Sequence, residues 1–214
     1  MAAWYARFSV DRSARSLVTF DFEKLDYRQC YRLLISTVVP RPIALVTSLS
    51  RQGHVNAAPF SFFNVMGHDP PVLILGIEQG NAGQAKQTAK NIRQTHEFVV
   101  NLVSEAMLEG ILICANSFPE DHNELPEAGF HEAKASKVAV PLVAESPVSL
   151  ECREKMSIGI GEGRTLILGD ILALHIDDNC FDTATDHVRT EGLNLIGRMQ
   201  GKWYLRTKDV FSSS

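Results

Sequence analysis

With 214 residues, an ordinary apolar fraction of 45% and a formal net charge of −4, the chain suits one well-filled domain rather than several. The acidic balance gives no basic footprint for nucleic acid, and no window approaches the roughly 20 continuous apolar residues of a membrane helix. Cys30, Cys114, Cys152 and Cys180 are far apart and form no CxxC pair, which points to reduced, mostly buried thiols of a cytoplasmic protein rather than a disulfide frame or zinc site.

Residues 1–19 carry Arg7, Arg12 and Arg15 against Asp11 alone. They are expected to be a solvated extension or an edge segment, with a transit peptide as the alternative. A helix is expected over Asp26–Ile35, where Tyr27, Cys30, Tyr31 and Leu34 fall at helical spacing and Asp26 suits the positive end of the helix dipole. Pro40 and Pro42 bracket Arg41 at a strand entrance. Pro42–Leu49 is a short apolar run rich in β-formers, hence a buried strand. Arg51-Gln52-Gly53 makes a turn, and Asn56-Ala-Ala-Pro-Phe-Ser61 follows, crowded with small side chains. Small residues beside hydroxyls and amides let a backbone approach a flat ligand and hydrogen-bond its edge; an ordinary hairpin loop is the competing reading.

Beyond Asp69-Pro-Pro71 the run Val72–Ile77 reads as a strand buried on both faces. Gln79–Gly83 is a loop, and Gln84–Thr95 a helix with Ala85, Ala89 and Ile92 on one side. Its opening, with Lys86 and Thr88, offers a charge, a hydroxyl cap and free backbone N–H groups to an anion; a solvated helix start is the alternative. Phe98–Val103 is a strand. Ser104 is placed to cap a helix over Glu105–Ala115 with Met107, Leu108, Ile111, Leu112 and Ala115 inward. Residues 116–147 are polar and proline-punctuated, an excursion long enough to cover a site or a partner. Val148–Ser157 and Thr165–Ile176 form a hairpin around Gly159, Gly161 and Gly163. The inventory, without regular β-α-β alternation, predicts a mainly β protein: an antiparallel barrel with peripheral helices. A single domain over residues 20–211 and a frayed tail over 212–214 follow.

Several chemistries are set aside. The three hairpin glycines have GxGxG spacing and lie between strands, unlike a dinucleotide loop. His122-Asn123-Glu124 has the H-x-E form of zinc deaminases without its P-C-x-x-C partner. His175 shares a strand face with Ile171 and Ala173 and is expected to be a satisfied core or interface histidine. No GxSxG elbow and no metal spacing is found. No residue is assigned as a catalytic acid or base.

Four phrases, VVPRPIALVTS…NAAPFSFFN, KQTAKNI…EFVVNLV, VPLVAESPVSLEC with LILGDILALHID, and LIGRMQGKWY, occur in an order that resembles the flavin reductase-like family of FMN-binding split-barrel proteins. Within it they are most similar to the reductase components of two-component monooxygenases. Gln87 stands where the family commonly has an acidic residue, and Gln200 where it has a glycine. The resemblance implies a split barrel, a homodimer and FMN near the subunit interface. It places Thr47 and Ser48 at the isoalloxazine edge, Asn56, Ala57, Ser61, Phe62 and Asn64 along the ring and ribityl chain, and Lys86 and Thr88 at the phosphate. Arg41 and Arg198 are further candidates for the phosphate or the partner subunit. It implies NADH or NADPH as hydride donor and a partner monooxygenase as one outlet for reduced FMN. A non-turnover flavin carrier, or a flavin-dependent oxidase of a small organic substrate, are the alternative functions.

Overall fold

A computed structural model describes residues 16–78, 87–120, 122–161 and 163–213. The chain divides into two compact units at Thr37/Val38. In the first, helix α1 (Tyr27–Thr37) follows a short 3-10 turn. Its start is fixed by a reciprocal pair: Gln29 N donates to Asp26 Oδ1 at 2.8 Å, and Asp26 N donates to Gln29 Oε1 at 3.0 Å. This is the capping-box arrangement, satisfying donors that a helix start leaves open. Tyr27, Tyr31 and Leu34, the expected apolar stripe, are exposed.

The second unit begins with β1 (Arg41–Pro42) and β2 (Ala44–Leu49), which belong to different sheets. One strand was expected here. Pro42 has no N–H to continue a ladder, and the break after it lets Arg41-Pro42 pair with a C-terminal strand instead. Next come β3 (Val55–Phe60), β4 (Phe63–His68) and β5 (Pro71–Glu78), then α2 (Gln87–Thr95) and β6 (Glu97–Leu102). The small-residue stretch Asn56–Phe60 is strand, so the competing reading of an ordinary hairpin loop does not hold there. Gly53, at φ 87°, turns β2 into β3; that conformation favours glycine.

Helix α3 (Leu108–Cys114) follows a 3-10 turn, and the side chain of Ser104 makes no capping bond. Met107, Gly110, Ile111 and Cys114 face inward while Leu112 is 51% exposed, so the expected inward placement of Leu112 and Ala115 does not hold. The inner face is set by Gly110: a Cβ there would lie 2.3 Å from the Phe130 ring and 2.7 Å from the Ala128 carbonyl oxygen. Gly110→Val is therefore expected to destabilise the protein by about 1–3 kcal/mol through overpacking, read as a lowered urea midpoint; an unchanged midpoint would show that residues 126–130 yield freely.

The excursion contains β7 (Glu132–Ala133) and β8 (Leu142–Val143). It leads to the long hairpin β9 (Val148–Ile160) and β10 (Arg164–Ile176), in which Gly159 belongs to the strand and Gly161 and Gly163 take positive φ. β11 (Phe181–Asp182), β12 (His187–Val188), β13 (Ile196–Arg198) and β14 (Tyr204–Arg206) complete the chain.

Seven strands form one antiparallel sheet in the order β3-β2-β6-β9-β10-β5-β4. Its edges, β3 and β4, are joined by Ser61 and Phe62 alone. Laid flat, those edges would be about 29 Å apart at ~4.8 Å per strand, whereas the step from Phe60 to Phe63 spans at most about 11 Å. The sheet must roll up, and since β3 and β4 do not pair, the barrel is split. Alternation then gives β2, β6 and β9 two buried faces. Val46, Val100 and Leu150 point into the barrel with Phe98, Leu73 and Ile167, and α2 adds Ala89 and Ile92. Leu45, Ala57 and Val103 point outward beneath α3 and the excursion, against Met107, Ile111, Leu125 and Phe130. A continuous apolar run is the sequence form of such a strand. A smaller sheet, β1-β13-β14, pairs Arg41 with Arg198.

Candidate functional site

At the turn end of the β2–β3 hairpin the inward face changes from apolar to polar. Ser48 and Asn56 are register partners and lie on the same side as Val46, because side chains alternate. There they meet α2. Asn56 Nδ2 donates to Thr88 Oγ1 at 3.0 Å, Asn91 Nδ2 donates to Ser48 Oγ at 3.2 Å, and Gln87 Nε2 donates to Asn91 Oδ1 at 2.9 Å. Ser48, Asn56, Thr88 and Asn91 are all buried. Both hydroxyls accept a bond from an amide, so each keeps its own proton for donation. Thr88 is the second residue of α2 rather than its cap, its hydroxyl being engaged by Asn56. The first N–H groups of this nine-residue helix lie beside it, with the positive end of the helix dipole.

Thr47 faces the other way. Its hydroxyl donates to the Pro141 carbonyl at 2.7 Å and accepts from Asn101 Nδ2 at 3.4 Å. The two adjacent hydroxyls of the Thr47-Ser48 pair therefore serve opposite faces of the strand. Ala57 has its side chain in the outer core, and its N–H donates to Glu124 Oε2 at 2.7 Å. Burial pushes the Glu124 carboxyl up, against that amide bond, which lowers it. Burial and the nearby Glu124 push the Cys114 thiol up to about 12, so it is no thiolate nucleophile at neutral pH.

A second group of candidate residues lies at the other end of the hairpin, four residues or about 13 Å along the strands. Arg41 donates to the Val38 carbonyl (3.0 Å), the Met199 carbonyl (3.2 Å) and Ser61 Oγ (3.4 Å). Arg198, its register partner, stacks with Cζ 4.6 Å from the Tyr204 ring centroid. A cavity of about 190 Å³ lies here, lined by Ile43, Pro59, Phe60, Ser61, Ile111, Leu112, Ala115, Arg198 and Tyr204. Phe62 sits beneath the Arg164 guanidinium at 5.8 Å, and its carbonyl accepts from Gly76 N at 2.7 Å. Asn64 is exposed on β4. Lys86 lies outside the described residues. The structure thus brings Ser48, Asn56 and Thr88 together at one end, and Arg41, Ser61 and Arg198 at the other.

Asn91 was not singled out as a site residue in the sequence, and Gln87 only as a departure from the family pattern. The signal was there: Thr88 and Asn91, three residues apart on one helix face, interrupt the stripe of Ala89 and Ile92. Asn101 and Glu151 are similar interruptions in apolar strands, and both hold the excursion. Asn101 Oδ1 accepts from Val143 N and Ser149 Oγ. Glu151 accepts from Ser136 N and Oγ, Lys137 N, Val138 N and His175 Nε2, the last at 2.6 Å. Ser136, Glu151 and His175 are not a nucleophilic triad, because the carboxylate, not the imidazole, is the central member. Among the described residues no group of His, Cys, Asp and Glu could hold a metal ion, and no helix is long and apolar enough to cross a membrane.

Residues 36–192 match the flavin reductase-like domain. The YwrF protein of Bacillus subtilis is 36% identical over 198 residues, covering 90% of this chain and 96% of its own. The crystal structure of the 2-nitrobenzoate 2-nitroreductase NbaA of Pseudomonas fluorescens superposes with a TM-score of 0.84 at 33% identity, covering 92% and 95% of the two chains. That of nitrilotriacetate monooxygenase component B from Bacillus cereus does so with a TM-score of 0.87 at 26% identity, covering 94% of this chain and all of its own. A split antiparallel barrel, a polar cluster at the mouth of its core and a domain match over most of the length agree: the chain is a member of the flavin reductase-like split-barrel family.

Proposed function

We propose that the protein is an NAD(P)H-dependent FMN reductase. The observation that carries this reading is the buried cluster of Ser48, Asn56, Thr88 and Asn91 beside the start of α2. Two hydroxyl protons and a helix N-terminus form a donor set that fits a phosphate ester and a polyol chain. No carboxylate belongs to that cluster to repel them. FMN, when bound, supplies a two-electron centre able to take hydride from reduced nicotinamide. The chain's own residues bind, orient and exclude water: Thr88 and the α2 amides fix the phosphate end, Ser48 and Asn56 order the ribityl chain, and Phe62 and Asn64 flank the ring. Alignment of two bound reactants is the main catalytic contribution such a site can make.

A homodimer belongs to the same proposal. Met156, Ile158 and Ile160 share one face of β9 and are 54%, 41% and 45% exposed. A solvent-facing strand would carry polar residues at these alternate positions, so a second copy covers this face. Ile158→Glu is expected to shift the protein to monomer in sedimentation; an unchanged dimer would place the interface elsewhere.

The activity is tested by an anaerobic absorbance spectrum of the protein with FMN and then NADH or NADPH. Bleaching of the flavin band much faster than for free FMN is the expected result. Binding of FMN without bleaching by either nucleotide would overturn the reductase assignment. The turnover partner, a monooxygenase in this reading, would be one that reoxidises the reduced flavin and so raises NAD(P)H consumption when added.

A further inference from the structure

The cavity between the end of β3, α3 and the β13–β14 hairpin has a composition unlike the polar cluster. Its walls are apolar apart from Arg198, Ser61 and the Tyr204 side chain, and among the described residues no acidic side chain lines it. Arg198 is stacked on Tyr204, and its buried Nη1 has no hydrogen-bond partner. That nitrogen is enclosed, so Arg198 borders the cavity through its other atoms. Ser61 Oγ already accepts from Arg41 Nε, so its proton is left to donate. The lining thus brings a cationic side chain and a hydroxyl donor to an otherwise apolar space. The volume, about 190 Å³, exceeds the roughly 150 Å³ in which an apolar protein cavity takes up benzene.

We propose that this cavity binds a small carboxylate of about one ring, its carboxylate on Arg198 and Ser61 and its ring against Ile111, Leu112 and Ala115. A guanidinium matches a carboxylate in charge and in the fork geometry of its donors. A phosphate dianion fits poorly, because two donors and apolar walls would not replace its hydration. In this assignment Arg198 serves a second ligand rather than the flavin phosphate. The residues that carry it are separate from Ser48, Asn56, Thr88 and Asn91, so it does not depend on the reductase reading.

The test is titration of the full-length protein with benzoate by calorimetry, with and without FMN. Benzoate is expected to bind, and benzamide, which lacks the charge, to bind at least about tenfold more weakly. Arg198→Gln is expected to weaken benzoate by about tenfold or more. Ala115→Phe, which fills the space and leaves Arg198 in place, is expected to abolish benzoate binding while retaining the wild-type circular dichroism and FMN affinity. Absence of benzoate binding to the wild type, or equal binding by Ala115→Phe, would overturn the proposal. So would an Arg198→Gln variant that loses FMN and keeps benzoate, which would return Arg198 to the flavin. Benzoate binding by a protein that takes up no FMN would leave this site standing and remove the flavin assignment.

Discussion

Glu151→Ala is expected to destabilise the protein by about 3–5 kcal/mol, the range for breaking a buried charged network by removing one member. The carboxylate is fully buried and receives five hydrogen bonds, three from consecutive backbone amides of the excursion. Alanine would leave Ser136, Lys137 and Val138 N–H groups and the His175 ring without their acceptor, each at a desolvation cost. At this chain length such a loss lowers the melting temperature by roughly 6–20 °C. Scanning calorimetry of Glu151→Ala against Glu151→Gln reads it, glutamine keeping an acceptor oxygen and losing less. The pH dependence has a defined sign. Burial by itself would push the Glu151 carboxyl up, but the bonds from Ser136, His175 and the backbone amides outweigh it and hold the carboxyl at about 2, below its ordinary 4.5. A depressed carboxyl contributes stability that is complete above the unfolded value and is lost as pH falls through the folded one. The difference in melting temperature between wild type and Glu151→Ala should therefore be full at neutral pH and shrink between pH 4.5 and about 2. A gap that stayed constant over that interval would mean that the network does not depend on the charge of Glu151.

Thr88→Val is expected to weaken FMN binding by about 10- to 150-fold, the equivalent of one charge-assisted hydrogen bond of roughly 1.5–3 kcal/mol. Valine has nearly the shape of threonine, so the packing of this buried position is preserved while the hydroxyl is lost. Two partners lose by it: the flavin phosphate, under the reductase assignment, and Asn56 Nδ2, whose bond to Thr88 Oγ1 is seen at 3.0 Å. Thr88→Ser separates the two effects from simple disruption, since it keeps the hydroxyl and gives up a methyl group. Quenching of FMN fluorescence should follow the order threonine, serine, valine. Wild-type affinity in Thr88→Val, with an intact circular dichroism spectrum, would move the phosphate away from the start of α2.

The apolar runs read as Pro42–Leu49 and Phe98–Val103, the β9–β10 hairpin and the helix read as Gln84–Thr95 were legible in the main because alternation and helical periodicity are local properties of the chain. So was the family, since its phrases keep their order. The sequence also contained the clues to Asn91, Asn101 and Glu151, as polar residues in apolar stripes, but not their partners. Strand pairing decided those. That Thr47 and Ser48 point to opposite faces follows from alternation, but that both faces are covered, by the excursion at Thr47 and by α2 at Ser48, is decided by the tertiary structure. That the barrel is split follows from the two-residue link between the outermost strands. That Arg41 meets Arg198 follows from β1 leaving the main sheet for β13. The residues that form the site and its neighbouring cavity lie as much as 158 positions apart in the chain, as in the Arg41–Met199 contact. Local propensity carries no term for such contacts: they form because burying each strand's apolar face fixes its register, and the register then determines which polar groups must satisfy one another.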